Sequence, residues 1–307
     1  MRCIDKRLLR GLRAAVVLCC ALLPWVAGTQ TARAQEPFIF SFPPIPDSLT
    51  TVDSRATHLV AHYWDCAVFP PSLSTADNDS VEQAWVNYCD LFRLTHAAVA
   101  RRSLAGLVGR EGVPAVFLMS LAEKYLFDTA SPCHNEDAYV GALEAFVARQ
   151  DVDTLYRVRY ASQLHMLAHC REGATVANFG FEGVEGGATL YGLSAPRLLL
   201  VVYDPECEHC QEVVGWLAAD AHVAALLAGG KLAILSVDVG EGGMGGVLPR
   251  TRKGWVDTHH TIPSIVEDNS YDLRTLPLCL LLDGDKRVVA KTSALGVLKE
   301  RLLELGN

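Results

Sequence analysis

The stretch Asp204-Pro205-Glu206-Cys207-Glu208-His209-Cys210 constrains this chain more than any other. Before it, Leu198 to Tyr203 is an unbroken apolar run of strand length, the pattern of a strand buried on both faces. After it, Gln211 to Leu226 has helical periodicity. Two cysteines with two residues between them, at a strand–helix junction, form a redox motif. The free N–H groups and the positive end of the helix dipole stabilise a thiolate on the first cysteine. The second lies one turn further on, close enough to close a disulfide. The competing explanations are a structural disulfide or half of a zinc site. Zinc normally needs a second CxxC or a histidine pair, and the downstream sequence offers neither at suitable spacing.

The 307 residues suggest two folded units behind a targeting segment. Arg2, Lys6, Arg7, Arg10 and Arg13 make a positive n-region, Ala14 to Ala27 an apolar h-region, and Ala32-Arg33-Ala34 a small-x-small cleavage site. This reads as a secretory signal peptide over 1–34. A lipid anchor at Cys19 or Cys20 fits less well, because bulky Leu18 precedes Cys19. No later segment is long and apolar enough to span a membrane, so no stable insertion is expected after cleavage. Removing 1–34 takes away six basic side chains and one acidic one, a net of +5, and moves the formal charge from −8 to −13. So acidic a chain, without a basic stripe, argues against nucleic acid or an anionic membrane as partner. Of ten cysteines, seven remain: Cys66, Cys89, Cys133, Cys170, Cys207, Cys210 and Cys279. In an exported protein that number admits structural disulfides beside the redox pair and leaves at least one thiol over.

Residues 35–172 read as an all-α unit of about five helices. A helix is expected from Asp53, capped by Asp53 or Ser54, and a second from the box Ser80-x-x-Gln83 after the polar break Ser72 to Asp79. Further helices are expected over 113–127, 136–149 and 152–169. From Gly173 the period changes, and 173–307 reads as a second unit. A hairpin over 174–181 and 189–193 leads to the strand at 198–203, the CxxC helix and a strand over 231–237. A glycine-rich loop, Gly240 to Gly246, then enters a polar, irregular segment. Leu278–Leu282 and Arg287–Lys291 alternate around Asp283-Gly284-Asp285 as antiparallel strands do, and Leu295 to Leu305 closes the chain as an amphipathic helix. This order describes an α/β sheet with helices on both faces.

With these residues in view a family is recognisable. The strand ending in Tyr203-Asp204-Pro205, the pair Cys207/Cys210, and Tyr271-Asp272-Leu273-Arg274-Thr275-Leu276-Pro277 before a strand resemble a TlpA-like periplasmic thioredoxin domain. Pro46-Asp47, Arg55, His62-Tyr63-Trp64-Asp65, Ser131-Pro132 and Asn135-Glu136 are similar to the helical module, of unknown function, that precedes secreted thioredoxin-like domains in some Gram-negative bacteria. The resemblance implies an α/β thioredoxin-like C-terminal domain preceded by an all-α helical domain. It also implies a periplasmic or otherwise exported location, and a cis peptide at Pro277 facing the cysteine pair. Two departures bear on chemistry. Glu206 stands where a tryptophan often precedes the first cysteine, and Val201 where many thioredoxins carry a buried carboxylate that accepts a proton from the second thiol.

The expected reaction is thiol–disulfide exchange on protein thiols or disulfides, with an upstream membrane or periplasmic redox partner and no cofactor or metal. Cys207 attacks, Cys210 resolves, His209 favours the reduced form by lending positive charge, and Pro277 seats the substrate backbone. CxxC pairs of this kind span about −270 to about −120 mV, and Glu206 and Glu208 oppose His209. The alternative is a secreted partner-binding protein with a structural, non-cycling disulfide. A peroxidase would need Pro-x-x-x-Thr-x-x-Cys, which is absent. His58/His62 and His165/His169 are helix-spaced pairs without an acidic partner at motif spacing, better read as surface or capping side chains than as metal ligands. Cys66 with Cys89, and Cys133 with Cys170, could bridge the helical unit or stay as buried thiols. Cys279, two residues beyond Pro277, is a strand residue or a third redox thiol. The Gly240 to Gly246 loop lacks a following Gly-Lys-Ser/Thr and is no phosphate loop.

Overall fold

The helical half starts at Thr51, whose hydroxyl accepts the Ser54 N–H at 3.1 Å and caps α1 (Val52–His62). The cap therefore lies two or three residues earlier than expected. The computed structural model describes residues 36–182, 188–240 and 251–305, so the signal segment lies outside the described residues. The capping box expected at Ser80–Gln83 is displaced too. Ser74 and Asp77 satisfy each other's backbone N–H groups at 2.9 and 3.2 Å and start α2 (Thr75–Asp90). Ser80 falls in the second turn and donates back to the Ala76 carbonyl at 2.9 Å. The polar run that looked like a break is a cap and a first turn, because serine and aspartate side chains satisfy the orphan N–H groups at a helix start.

Four more helices complete this half: α3 (Ala97–Gly109), α4 (Ala115–Ala122), α5 (Glu136–Val147) and α6 (Thr154–His169). A π-helical turn, Glu123–Phe127, continues α4. The helix α3 was not expected from the sequence. It lies against α5 so closely that a Cβ at Gly141 would fall 2.5 Å from the Arg101 carbonyl oxygen, which makes glycine the fitting residue there.

Among the described residues the C-terminal half holds a six-stranded mixed sheet. Its strands, numbered in chain order, are β3 (Arg197–Tyr203), β4 (Ala233–Asp238), β5 (Thr251–Arg252), β6 (Trp255–Thr258), β8 (Leu278–Asp283) and β9 (Val288–Thr292). They lie in the order β5-β6-β4-β3-β8-β9. The strand β3 is parallel to β4 and antiparallel to β8, and β8 is antiparallel to β9. Among the described residues the hairpin region supplies β1 (Gly180–Phe181) and β2 (Ala188–Thr189), which join β7 (Thr261–Ile262) in a small separate sheet. The polar segment after the glycine loop, expected to be irregular, contains β6, paired in parallel with β4. The helix after the cysteines is two helices, α7 (Glu208–Ala219) and α8 (Ala221–Ala228). Asp220 interrupts it, and its carboxylate accepts the N–H groups of His222 and Val223 at 2.9 and 3.0 Å. The closing helix is α9 (Leu295–Glu304).

Alternation along β3 sends its side chains into two cores. Leu199, Val201 and Tyr203 pack with Val213, Val214 and Leu217 of α7 and with Leu298 and Leu302 of α9. Leu198, Leu200 and Val202 face the other way, into a core that runs through Val176, Phe179 and Tyr271 to the aromatic and leucine side chains of the helical half. Each such fully buried Leu or Val contributes roughly 1.5–3 kcal/mol. The described residues from Pro37 onward accordingly form one compact unit.

Polar ties reinforce that shared core. Lys291 on β9, with a side chain 12% exposed, ion-pairs with Glu136 at the start of α5 and with Asp272 at 2.8 Å. Asp272 in turn accepts two hydrogen bonds from Arg274 at 2.7 and 2.8 Å, and that guanidinium lies 3.3 Å from the centroid of the Phe127 ring. Burial alone would raise the Asp272 carboxyl. The Arg274 hydrogen bonds and the Lys291 charge overcome it and hold the group well below the usual carboxylate range. The segment 271–277, which carried the family resemblance, thus fastens the two halves together.

The seven cysteines from Cys66 onward are free thiols. The bridges considered for Cys66–Cys89 and Cys133–Cys170 are not formed. Cys66 is exposed, and burial, followed by the nearby Cys133 charge, pushes the Cys89 thiol up. The cysteine whose charge bears on Cys89 is thus Cys133 rather than Cys66. Cys170 instead accepts the Asp272 N–H at 3.3 Å, and burial pushes its thiol up to about 12.

Candidate active site

The redox pair sits where β3 ends and α7 begins. The chain turns through Asp204, whose side chain accepts the Glu206 N–H at 2.8 Å and whose carbonyl accepts the Cys207 N–H at 3.1 Å. Cys207 is the N-cap of α7, with extended backbone angles (φ −79°, ψ 118°). Its sulfur accepts the Cys210 N–H at 3.4 Å, the position a capping serine or aspartate oxygen holds elsewhere. Cys207 is half-buried and Cys210 fully buried. Burial pushes the Cys210 thiol up to about 12, eased by a backbone hydrogen bond at Asp204 and raised further by Cys207. The pair is therefore asymmetric: an accessible sulfur at a helix start, and a protonated one a turn deeper.

Gly240 presses on the same turn. A Cβ there would meet Pro205 Cδ at 2.8 Å and the Asp204 carboxylate at 3.1 Å. The first residue of the glycine-rich loop thus has a packing reason to lack a side chain, and 241–250 lie outside the described residues.

Pro277 precedes β8, and Leu278 is registered with Val202, one residue short of the end of β3. The Leu276–Pro277 peptide is cis, and Leu276 packs against the core that holds Cys210. A second cis peptide, Ile262–Pro263, carried no signal in the sequence reading. The His209 ring does not reach a cysteine sulfur by any hydrogen bond among the described residues. Its Nε2 donates to the Ser293 carbonyl, just beyond β9, at 2.7 Å, and Nδ1 faces Glu212 at 3.3 Å. Its direct role is to tie the start of α7 to the β9–α9 connection.

The register places Cys279, Val201, Ser236 and Asp257 in one row across β8, β3, β4 and β6. Cys279 is fully buried, and burial followed by the charge of Cys210 pushes its thiol up to about 12. At the other end of the row is a carboxylate that the sequence reading missed. Asp257 accepts hydrogen bonds from Ser236 at 2.5 Å and from the Tyr203 hydroxyl at 3.2 Å, and the Trp255 indole donates to Ser236 at 2.9 Å. Burial raises the Asp257 carboxyl despite those bonds. The Tyr203 hydroxyl, raised first by burial and then by Asp257, also senses Cys210. A half-buried acid thus stands two strands away from Val201, in a segment whose polarity hid it.

The histidine pairs have protein partners. His58 bonds the Pro44 carbonyl at 3.0 Å, His62 bonds Asp65 at 2.8 Å, and His165 and His169 bond Ser270 and the Thr175 carbonyl, each at 3.3 Å. Among the described residues no three His, Cys, Asp or Glu side chains gather in a way that could hold a metal. No described helix is long and apolar enough to cross a membrane.

A cleft of about 520 Å³ includes Ser293, whose carbonyl accepts the His209 ring N–H, in its lining. Pro277 and Ser293 line it on one side and residues of α5 and its neighbours on the other.

The fold and this site define an α/β thioredoxin-like domain preceded by an all-α domain. One comparison, with a thioredoxin-like protein from Bacteroides caccae, agrees at that level. Residues 26–169 match the family described as a domain of unknown function, DUF5106. A crystal structure of a thioredoxin-like protein from Bacteroides caccae is similar at 28% identity and a TM-score of 0.68, over 86% of this chain and 98% of that one. The C-terminal domain of an uncharacterized protein from Bacteroides fragilis matches at 26% identity and TM-score 0.36, over 43% of this chain and 97% of its own. The thioredoxin domain of a thiol-disulfide oxidoreductase from Bacteroides vulgatus matches at 15% identity and TM-score 0.31, over 43% of this chain and 98% of its own. No curated protein matches.

Proposed function

We propose that this chain is an exported, TlpA-like thiol–disulfide oxidoreductase that acts on protein thiols or disulfides through Cys207 and Cys210. The observation that carries the reading is the Cys210 N–H bonded to the Cys207 sulfur at 3.4 Å, with Cys207 half-buried and Cys210 buried behind it. In the reducing direction the Cys207 thiolate attacks one sulfur of a substrate disulfide. The substrate S–S bond breaks, its distal sulfur leaves as a thiolate and takes up a proton, and a mixed disulfide remains on Cys207. Cys210 then gives up its proton and attacks the Cys207 sulfur. The second substrate sulfur is released, so the substrate gains two electrons and the pair closes its own disulfide. An exported or membrane partner dithiol resets it, and the oxidising direction is the same sequence reversed. Asp257 accepts the hydroxyl of Tyr203, which packs in the same core as Cys210, and is the acceptor we assign to the Cys210 proton, with Tyr203 passing its own proton on as it takes that one.

The test is insulin reduction by dithiothreitol-recycled protein and, in reverse, oxidation of a reduced model protein, for wild type and Cys207→Ser. Turnover in both directions or in one, abolished by the substitution, is expected. Equal activity in the two proteins, or a Cys207–Cys210 couple too reducing to cycle in a redox titration, favours the partner-binding alternative instead.

A further inference from the structure

The cleft beside Pro277 has a wall that the thioredoxin-like domain does not supply. Thr129 and His134 come from the connection before α5, Asp137 from α5, and Arg171 and Glu172 from the turn after α6. The opposite wall is Thr275, Pro277 and Leu278 with Lys291 to Ala294. Pro277 leads into β8 beside the end of β3, and the Ser293 carbonyl holds His209, the residue between the two cysteines' turn and Cys210. The cleft and the start of α7 therefore meet at Ser293 and His209. The volume of the cleft lies within the range of small-ligand pockets, roughly 300–1,000 Å³. Its lining of both charge signs and several hydroxyls suits a polar peptide rather than an apolar ligand.

The charges are not all answered from within. Glu136 and Asp272 are paired with Lys291, Asp272 also with Arg274, and Asp137 with Arg171 and Arg101. Glu172 is exposed, accepts the Lys291 backbone N–H at 3.4 Å, and enters no ion pair among the described residues. The Arg171 Nε, buried in the same wall, has no hydrogen-bond partner.

We infer that the helical domain forms half of the substrate cleft, which seats the polypeptide flank of the substrate cysteine, and that Glu172 selects a basic side chain there. The inference rests on the redox reading of the pair. Two disulfide-linked reporter peptides, identical except for Lys or Glu two residues from the cysteine, give the test, with dithiodipyridine as a small uncharged disulfide and glutathione disulfide as a free tripeptide. Reduced wild-type protein prefers the Lys peptide by about two- to five-fold, the range of a solvent-exposed charge pair. Glu172→Lys reverses that preference, Glu172→Gln removes it, and neither changes the rate with dithiodipyridine. Equal rates for the two peptides, a preference untouched by Glu172→Lys, or glutathione disulfide reacting faster than the Lys peptide overturns the inference while leaving the redox reading intact. No reaction with dithiodipyridine overturns both.

Discussion

Asp272→Asn tests whether the two halves are fastened as the ion network implies. The substitution keeps the shape of the side chain and deletes its charge. Lys291, 12% exposed, is left with Glu136 alone, and Arg274 keeps at most one of its two hydrogen bonds, now to a neutral amide oxygen. Asp272 itself is 5% exposed, so solvent cannot stand in for it. Removing one partner of a buried pair costs about 3–5 kcal/mol, because an uncompensated charge remains. At roughly 2–4 °C per kcal/mol for a chain of this size, Tm falls by about 6–20 °C. The pH dependence has a definite sign. The folded-state carboxyl is depressed, so its stabilisation is fully present above the unfolded value of about 3.9 and is lost as pH falls through the folded value. Urea melts of wild type and variant, followed by tryptophan fluorescence from pH 7 down to pH 3, should show a gap that is constant above about pH 5 and begins to narrow below pH 4. A gap under about 1 kcal/mol, the scale of a surface pair, or one that widens on acidification, would falsify the account of a buried fastening.

Two further outcomes follow from the site. Asp257→Asn slows resolution of the mixed disulfide by about 10²-fold, the lower range for loss of a general base, in stopped-flow kinetics; it also raises Tm at pH 7, a gain that fades as pH falls through the raised folded-state value toward pH 4, where the wild-type carboxyl is protonated anyway. An unchanged resolution rate removes Asp257 from the mechanism. Under native conditions with all thiols reduced, brief alkylation read by mass spectrometry labels exposed Cys66 and half-buried Cys207 first, while buried Cys89, Cys170, Cys210 and Cys279 stay protected. Rapid labelling of Cys279 contradicts its place in the row behind Val201.

How much of this was legible depended on whether side chains spoke for the backbone. The run Leu198–Tyr203, the pair Cys207/Cys210 and the turn Asp283-Gly284-Asp285 announced β3, the redox junction and the β8–β9 hairpin, because apolar continuity and turn chemistry act locally. The helix α3 was silent: His96 gives it no side-chain cap, and small residues blur its apolar stripe. The strand β6, Trp-Val-Asp-Thr, looked polar because Asp257 is solvated by Ser236 and Tyr203, partners distant in sequence. The cleft was invisible for the same reason, since its two walls lie more than a hundred residues apart in the chain. Asp220 divided one expected helix into α7 and α8 because periodicity continues across a cap that stops the backbone ladder.

The back face of the sheet carries one more consequence. Leu198, Leu200, Val202, Leu280 and Leu282 share their core with the helical half. A chain cut between α6 and β1 would open that core on its helical side, uncovering apolar side chains such as Phe179 and Tyr271, a surface of the kind that drives self-association. Trimming this protein to a minimal redox domain is therefore a problem of resurfacing: polar residues must replace the outer side chains so uncovered, while the leucine row beneath them stays.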